Sequence, residues 1–208
     1  MLRDALSEAI DFDGRVLRTV RAMATPGRLT LEFLRGRRVP YLSPLKLFLV
    51  VGAVLSATWA LTRGVDARYY GFDNRGSPSA YIDTVVRGLL AASLTIAISS
   101  WIFSLGRRRF LDEAVFALHV VAAVSLWTAV VIWLATAWKL AWVSVARVPR
   151  SVPSLPFLMF LPALVVALGY IAAAVRRVHG VRWWLALLQT LVFAVVGVAV
   201  VRVALLVL

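Results

Sequence analysis

The sequence contains no cysteine, which excludes disulfides, thiolate metal sites and covalent c-type haem attachment. Nor does it hold an HExxH, GxxxxGK[ST], GxSxG or GxGxxG motif, so metalloprotease, P-loop, common hydrolase and dinucleotide readings lack their required groups. Histidine is confined to His119 and His179, and a protein metal site would have to recruit carboxylates, of which Asp112 and Glu113 are nearest along the chain. No catalytic, cofactor or metal site is expected on these grounds. Acidic residues are also scarce, 10 against 23 Lys and Arg, which leaves a net charge of +13.

Apolar residues are abundant. They make up 62% of the chain, and the mean hydropathy is +0.86, whereas a soluble domain is about 45–50% apolar. Crossing a hydrocarbon layer of roughly 30 Å takes about 20 predominantly apolar residues in a helix. Five windows meet that requirement: 44–62, 85–105, 114–138, 155–175 and 183–206. Backbone groups in such segments must be bonded internally, which a single apolar run achieves as a helix. The expected fold is an all-α membrane protein of about five transmembrane helices, preceded by amphipathic cytoplasmic or interfacial helices. Residues 1–43 form the basic N-terminal region and 44–208 the transmembrane domain. Arg202 lies inside the last window and can snorkel if it is near the exit. No cleavable signal peptide is expected, because the first apolar run follows about forty polar and charged residues and is too long for an h-region.

Arginines indicate the orientation. Arg3, Arg15, Arg18, Arg21, Arg28, Arg35, Arg37 and Arg38 precede the first window, Arg107 to Arg109 join the second to the third, and Arg176, Arg177 and Arg182 join the fourth to the fifth. The opposite side holds half as many cations and also Asp66, Asp73 and Asp83. Short basic loops stay cytoplasmic, so the N-terminus is expected inside and the C-terminus outside. Anionic headgroups attract such residues, and Arg15, Arg18, Arg21, Arg28, Arg35, Arg37 and Arg38 are the expected contacts to a membrane surface or partner. Nucleic acid is not expected, since the arginines are spread over several loops without a recognition motif.

Within the N-terminal region, Asp13 would cap a helix with Val16, Leu17, Val20 and Met23 along one side. Thr25 and Pro26 would start another, with Gly36 at its end. Such short helices need a surface, either the bilayer or the ends of the spans. On the other side, 63–84 reads as a loop of turn formers, with Asp83 or Thr84 capping the second span. His119 falls about one and a half turns into the third window. An ionisable group there is a candidate intramembrane polar site, with Asp112 and Glu113 as neighbours, although a neutral imidazole bonded to a Ser or Thr of another helix also satisfies it. His179, in an arginine-rich turn, reads as a solvated loop residue. Ser93, Thr95, Ser99, Ser100, Gln189 and Thr190 would bond across helix interfaces or line a pore.

Three segments, FDGRVLRTVRAMATPGRLTLEFLRGRRVPYLSPLKLFL (Phe12–Leu49), FLDEAVFALHV (Phe110–Val120) and YIAAAVRRVHG (Tyr170–Gly180), resemble the bacterial integral-membrane family catalogued as domain of unknown function 3667. The resemblance implies a bacterial inner-membrane protein and no particular activity. Many members carry a four-cysteine zinc ribbon ahead of the Phe12-type segment, and this sequence contains no cysteine. Members also tend to have several histidines around the Phe-Ala-Leu-His step, where only His119 stands here. The expected function is a non-enzymatic anchor, scaffold or accessory subunit of a membrane assembly, with a membrane-protein partner or a second copy of itself. A small transporter or channel is the alternative, and an enzyme built on His119, Asp112 and Glu113 a third.

Overall fold

A computed structural model describes residues 14–37, 39–70, 78–104, 108–146 and 155–206. Among them the chain forms helices and no strand. Helix α1 covers 14–23 and α2 is Arg28–Leu34; α3 is Pro44–Tyr70, α4 Pro78–Phe103, α5 Phe110–Ala146, α6 Leu155–His179 and α7 Trp183–Leu206. Four of these contain stretches long and apolar enough to cross a membrane: Pro44–Thr62, Val85–Phe103, Phe110–Trp138 and Pro162–His179. A shorter apolar stretch, Trp183–Gly197, falls in α7 at the fifth window. The protein is thus an all-α membrane protein. Its outward surface agrees, with Leu94, Ile98, Trp127, Trp133, Leu164, Val165, Leu187 and Leu191 all exposed. In water such a surface would be costly, and hydrocarbon removes the cost.

Helix α5 is central and packs on α2, α3, α4 and α6, while α7 packs on α4 and α6. Phe116, Ala117, Val120 and Val121 of α5 meet Ile96 and Ala97 of α4, Ala174, Val175 and Val178 of α6, and Ala186 and Phe193 of α7 in one buried cluster. The small residues let the backbones approach, which is how helices associate when lipid is as apolar as the core. At 37 residues α5 is about 55 Å long at 1.5 Å per residue, more than the hydrocarbon core needs.

The connections are shorter than the sequence suggests. Helix α3 continues to Tyr70 and α4 begins at Pro78, so the expected loop over 63–84 is largely helical. A helix nucleated by a span adds one backbone bond per residue, and no proline interrupts Arg63–Tyr70. Asp83 lies inside α4 and pairs with Arg87 one turn later, at 2.7 Å, rather than capping the helix.

The N-terminal helices lie on the bundle. Ala22, Met23, Leu29, Leu42, Leu47, Val51 and Ala122 form a second buried cluster that joins α1 and α2 to α3 and α5. The buried side of α1 runs through Thr19, Ala22 and Met23, and Leu17 and Val20 are exposed. It is therefore turned from the expected stripe. Asp13, its expected cap, is outside the described residues. Helix α2 starts at Arg28 rather than Pro26, with Gly27 before it at φ 72 and no side-chain cap. A Cβ on Gly27 would lie 3.1 Å from the Ala174 carbonyl oxygen, so both the left-handed backbone and the contact with α6 require glycine there. The far end matches expectation. Gly36 (φ 84) donates to Phe33 O and Arg37 N to Glu32 O, the paired bonds of a Schellman stop.

Candidate functional site

Helix α4 ends close to where α5 begins, and α6 close to where α7 begins, so the C-terminal turns of α4 and α6 and the N-terminal turns of α5 and α7 share one end of the bundle. Arg108, Arg109, the turn between α6 and α7, α1 and α2 lie at that end too. Two buried polar groups sit there on different sides of α5.

The first is Glu113, in the first turn of α5 and 1% exposed. Its Oε2 accepts from Ser100 Oγ of α4 at 2.5 Å and lies 2.9 Å from His179 Nε2 of α6. Ser100 Oγ is also 3.0 Å from that Nε2 and 3.5 Å from Gln189 Nε2 of α7. His179 Nδ1 lies 3.1 Å from the Val175 carbonyl, which can only accept, so Nδ1 carries a hydrogen. The contact between Nε2 and Oε2 then requires one further proton between them. Whether that proton rides on the imidazole or on the carboxyl, the pair is neutral overall, and that lowers the cost of placing it between helices. Phe116 meets the His179 ring edge to face at 5.1 Å, and Arg108 Nη2 donates to Val178 O at 2.6 Å, closing the cluster on the arginine side. Glu113 Oε1 is buried without a hydrogen-bond partner.

Ser, His and Glu side by side invite comparison with a hydrolytic triad. The geometry differs from one, because serine and carboxylate share Nε2 while Nδ1 is taken up by the backbone. A triad needs the carboxylate on Nδ1 to orient the ring toward the serine.

The second group is His119, 4% exposed, whose Nδ1 is 3.1 Å from Thr30 Oγ1 of α2. Phe33 of α2 meets its ring at 5.7 Å, and Nε2 is buried without a partner. The bond to a threonine of a neighbouring helix is the simple arrangement the sequence allowed, although the neighbour is the short α2 rather than a span. His119 is six residues beyond Glu113, which on a helix points it to a different side. Asp112, half-buried in the first turn of α5, donates its N–H to Arg109 O and joins neither the Glu113 nor the His119 hydrogen bonds.

His179 corrects the sequence reading, since it belongs to a buried cluster and not to a solvated loop. The available signal was its spacing after Ala172 and Val175, which share one side of α6 at helical period. Ser100 and Gln189, read as interface or pore residues, lie in the same cluster.

The N-terminal helices are tied to this end by named bonds. Tyr170 Oη donates to Met23 O at 2.8 Å, Arg177 Nη1 to Pro26 O at 2.9 Å, and Leu42 N to Thr19 Oγ1 at 3.1 Å. Arg18, Arg21, Arg28, Arg35 and Arg37 are exposed and Arg15 is half-buried, while Arg38 lies outside the described residues. Arg28 pairs with Glu32 at 2.9 Å, and Tyr41 donates to the same carboxylate. The Tyr41 hydroxyl first, then the Arg28 guanidinium, hold the Glu32 pKa below its ordinary value, and the carboxylate raises that of Tyr41. Among the described residues no group of three His, Cys, Asp or Glu is placed to hold a metal ion.

No curated protein and no solved structure matches the chain. The model of a family described as a protein of unknown function, DUF3667, matches residues 13–55, the segment that holds α1, α2 and the first turns of α3. That match supports the chain's membership of this family.

Proposed function

We propose that this protein is a non-enzymatic scaffold or accessory subunit of a bacterial inner-membrane assembly, with its N-terminus in the cytoplasm and its C-terminus outside. The observation that carries this reading is the fastening of α1 and α2 to α5 and α6 through Tyr170, Arg177, Thr30 and His119. A basic arm meant only to find a surface needs no such bonds, whereas a platform that offers Arg18, Arg21, Arg35 and Arg37 in fixed positions does. Beneath it, Ser100, Glu113 and His179 bond to one another and brace α4, α5 and α6. Its partner is a membrane protein or a second copy of the chain, met next to anionic headgroups.

Purification of the full chain from native membranes in mild detergent tests this. A partner or second copy should be retained at fixed stoichiometry and released when Arg18, Arg21, Arg35 and Arg37 are changed to Gln. A lone monomer, unaffected by those changes, would sink the reading. A small transporter is the second reading, favoured by the buried and unpartnered Oε1 of Glu113. It requires solute or proton flux in proteoliposomes that disappears in Glu113→Gln.

A further inference from the structure

The turn between α6 and α7 carries a cleft that the polar clusters do not use. It has a volume of about 680 Å³ and is lined by Arg176, Arg177, Arg182, Gly180 and Trp183 among others. Gly180, at φ 67, donates to Arg176 O and closes α6, which turns the chain so that Arg182 comes back beside the two arginines of the last helical turn.

Among the described residues the charge of this cleft is not paired. Among the described residues none of the three arginines forms an ion pair. Of the described carboxylates at this end, Glu113 is taken up by Ser100 and His179, Glu32 by Arg28 and Tyr41, and Asp112, in the first turn of α5, pairs with none of the three arginines. The guanidiniums nevertheless remain able to bind. Arg176 lies over the Trp183 ring, 4.6 Å from its centroid, and among the described residues its guanidinium N–H groups make no hydrogen bond. Among the described residues Arg177 commits only Nη1, to Pro26 O. Planar forks of this kind pair with phosphate oxygens through two parallel hydrogen bonds.

Trp183 and Trp184 are both about half exposed, as tryptophans are at headgroup level. Below them on α7, Leu187, Leu188 and Leu191 are exposed in an apolar strip. An anion here therefore lies at the top of a wall suited to acyl chains. We infer that the α6–α7 cleft is a binding site for the phosphodiester headgroup of an anionic phospholipid, held by Arg176, Arg177 and Arg182 with its chains along α7. The inference needs only the membrane setting and not the partner-binding reading above.

The test uses the purified full chain in detergent, with phosphatidylglycerol, phosphatidylcholine or glycerol phosphate added, read by native mass spectrometry and by the thermal unfolding midpoint. Phosphatidylglycerol should bind and raise the midpoint, and neither of the others should do so at equal concentration. Arg176→Gln with Arg182→Gln should weaken that binding about tenfold or more, while Lys46→Gln with Arg87→Gln, the same loss of charge elsewhere, should leave it unchanged. If the cleft double variant does not fold, Arg182→Gln alone replaces it, since no hydrogen bond of that side chain holds the turn among those described. Binding that survives in the cleft variant, or that phosphatidylcholine equals, overturns the inference. An equal effect of glycerol phosphate overturns it in favour of a soluble anion site.

Discussion

The arginine-rich end of the bundle and its opposite half are held together by different means. At the arginine-rich end, hydrogen bonds pass between elements: Ser100, Glu113 and His179 link α4, α5 and α6, His119 links α5 to α2, and Tyr170 and Arg177 reach the chain around α1. In the opposite half, among the described residues, the hydroxyls of Thr62, Thr128 and Thr136 bond back to carbonyls of their own helices, and Trp133 Nε1 donates across helices to Thr58 Oγ1 at 3.1 Å. Among the described residues, bonds between elements thus gather at the arginine-rich end. The difference teaches where substitutions should be felt, because hydrogen bonds buried between helices fail singly, whereas small-residue packing gives way gradually.

The largest effect is expected at Glu113. Replacing it with Ala takes the carboxylate away from both buried His179 and Ser100 and should cost about 3–5 kcal/mol in unfolding free energy measured in detergent. A loss as small as that of an exposed ion pair, under about 1 kcal/mol, would erase the contrast between the two halves. Next comes Gly27→Ala, where the left-handed backbone alone costs about 1–2 kcal/mol and the close contact with Ala174 adds to it. Limited proteolysis should show α1 and α2 released while the spans stay protected.

A double-mutant cycle of Thr30→Val and His119→Leu should give a coupling of about 0.5–1.5 kcal/mol, the worth of one buried hydrogen bond. Thr58→Val, at the opposite half, should cost about 0.6 kcal/mol, the average for interhelical bonds in membranes. The smallest effect is set by pH. The folded Glu32 pKa lies below its ordinary 4.5, so its contribution is complete above pH 4.5 and lost as pH falls through the lowered value. Hydrogen exchange over residues 28–43 should rise in that window and leave α5 unchanged.

How much of this was legible in the sequence depends on the element. The spans were readable because runs such as Leu47–Ala60 hold no charged residue and can only be helices in hydrocarbon. The stop at Gly36 was readable because glycine tolerates the left-handed turn that ends a helix. The start of α2 was not, since Thr25 and Pro26 are good local signals and the contact of Gly27 with α6, a residue 147 positions away in the case of Ala174, overrides them. The buried side of α1 was misjudged for a related reason. Leu17, 71% exposed, can face lipid as comfortably as a core, so an apolar stripe does not say which side is inside.

The candidate site divides in the same way. Glu113 and His119 could be singled out as ionisable groups in an apolar run, and that their sides differ follows from helical geometry. That Glu113 takes Ser100 and His179 as partners, and His119 takes Thr30, was decided only when α2, α4 and α6 packed on α5. Composition and charge alone determined the membrane setting and the helical class, because every backbone group in hydrocarbon must be bonded and arginines stay out of it. The tertiary structure alone decided which polar groups meet, because in a solvent as apolar as the protein's own interior, hydrophobic pattern carries no information about neighbours.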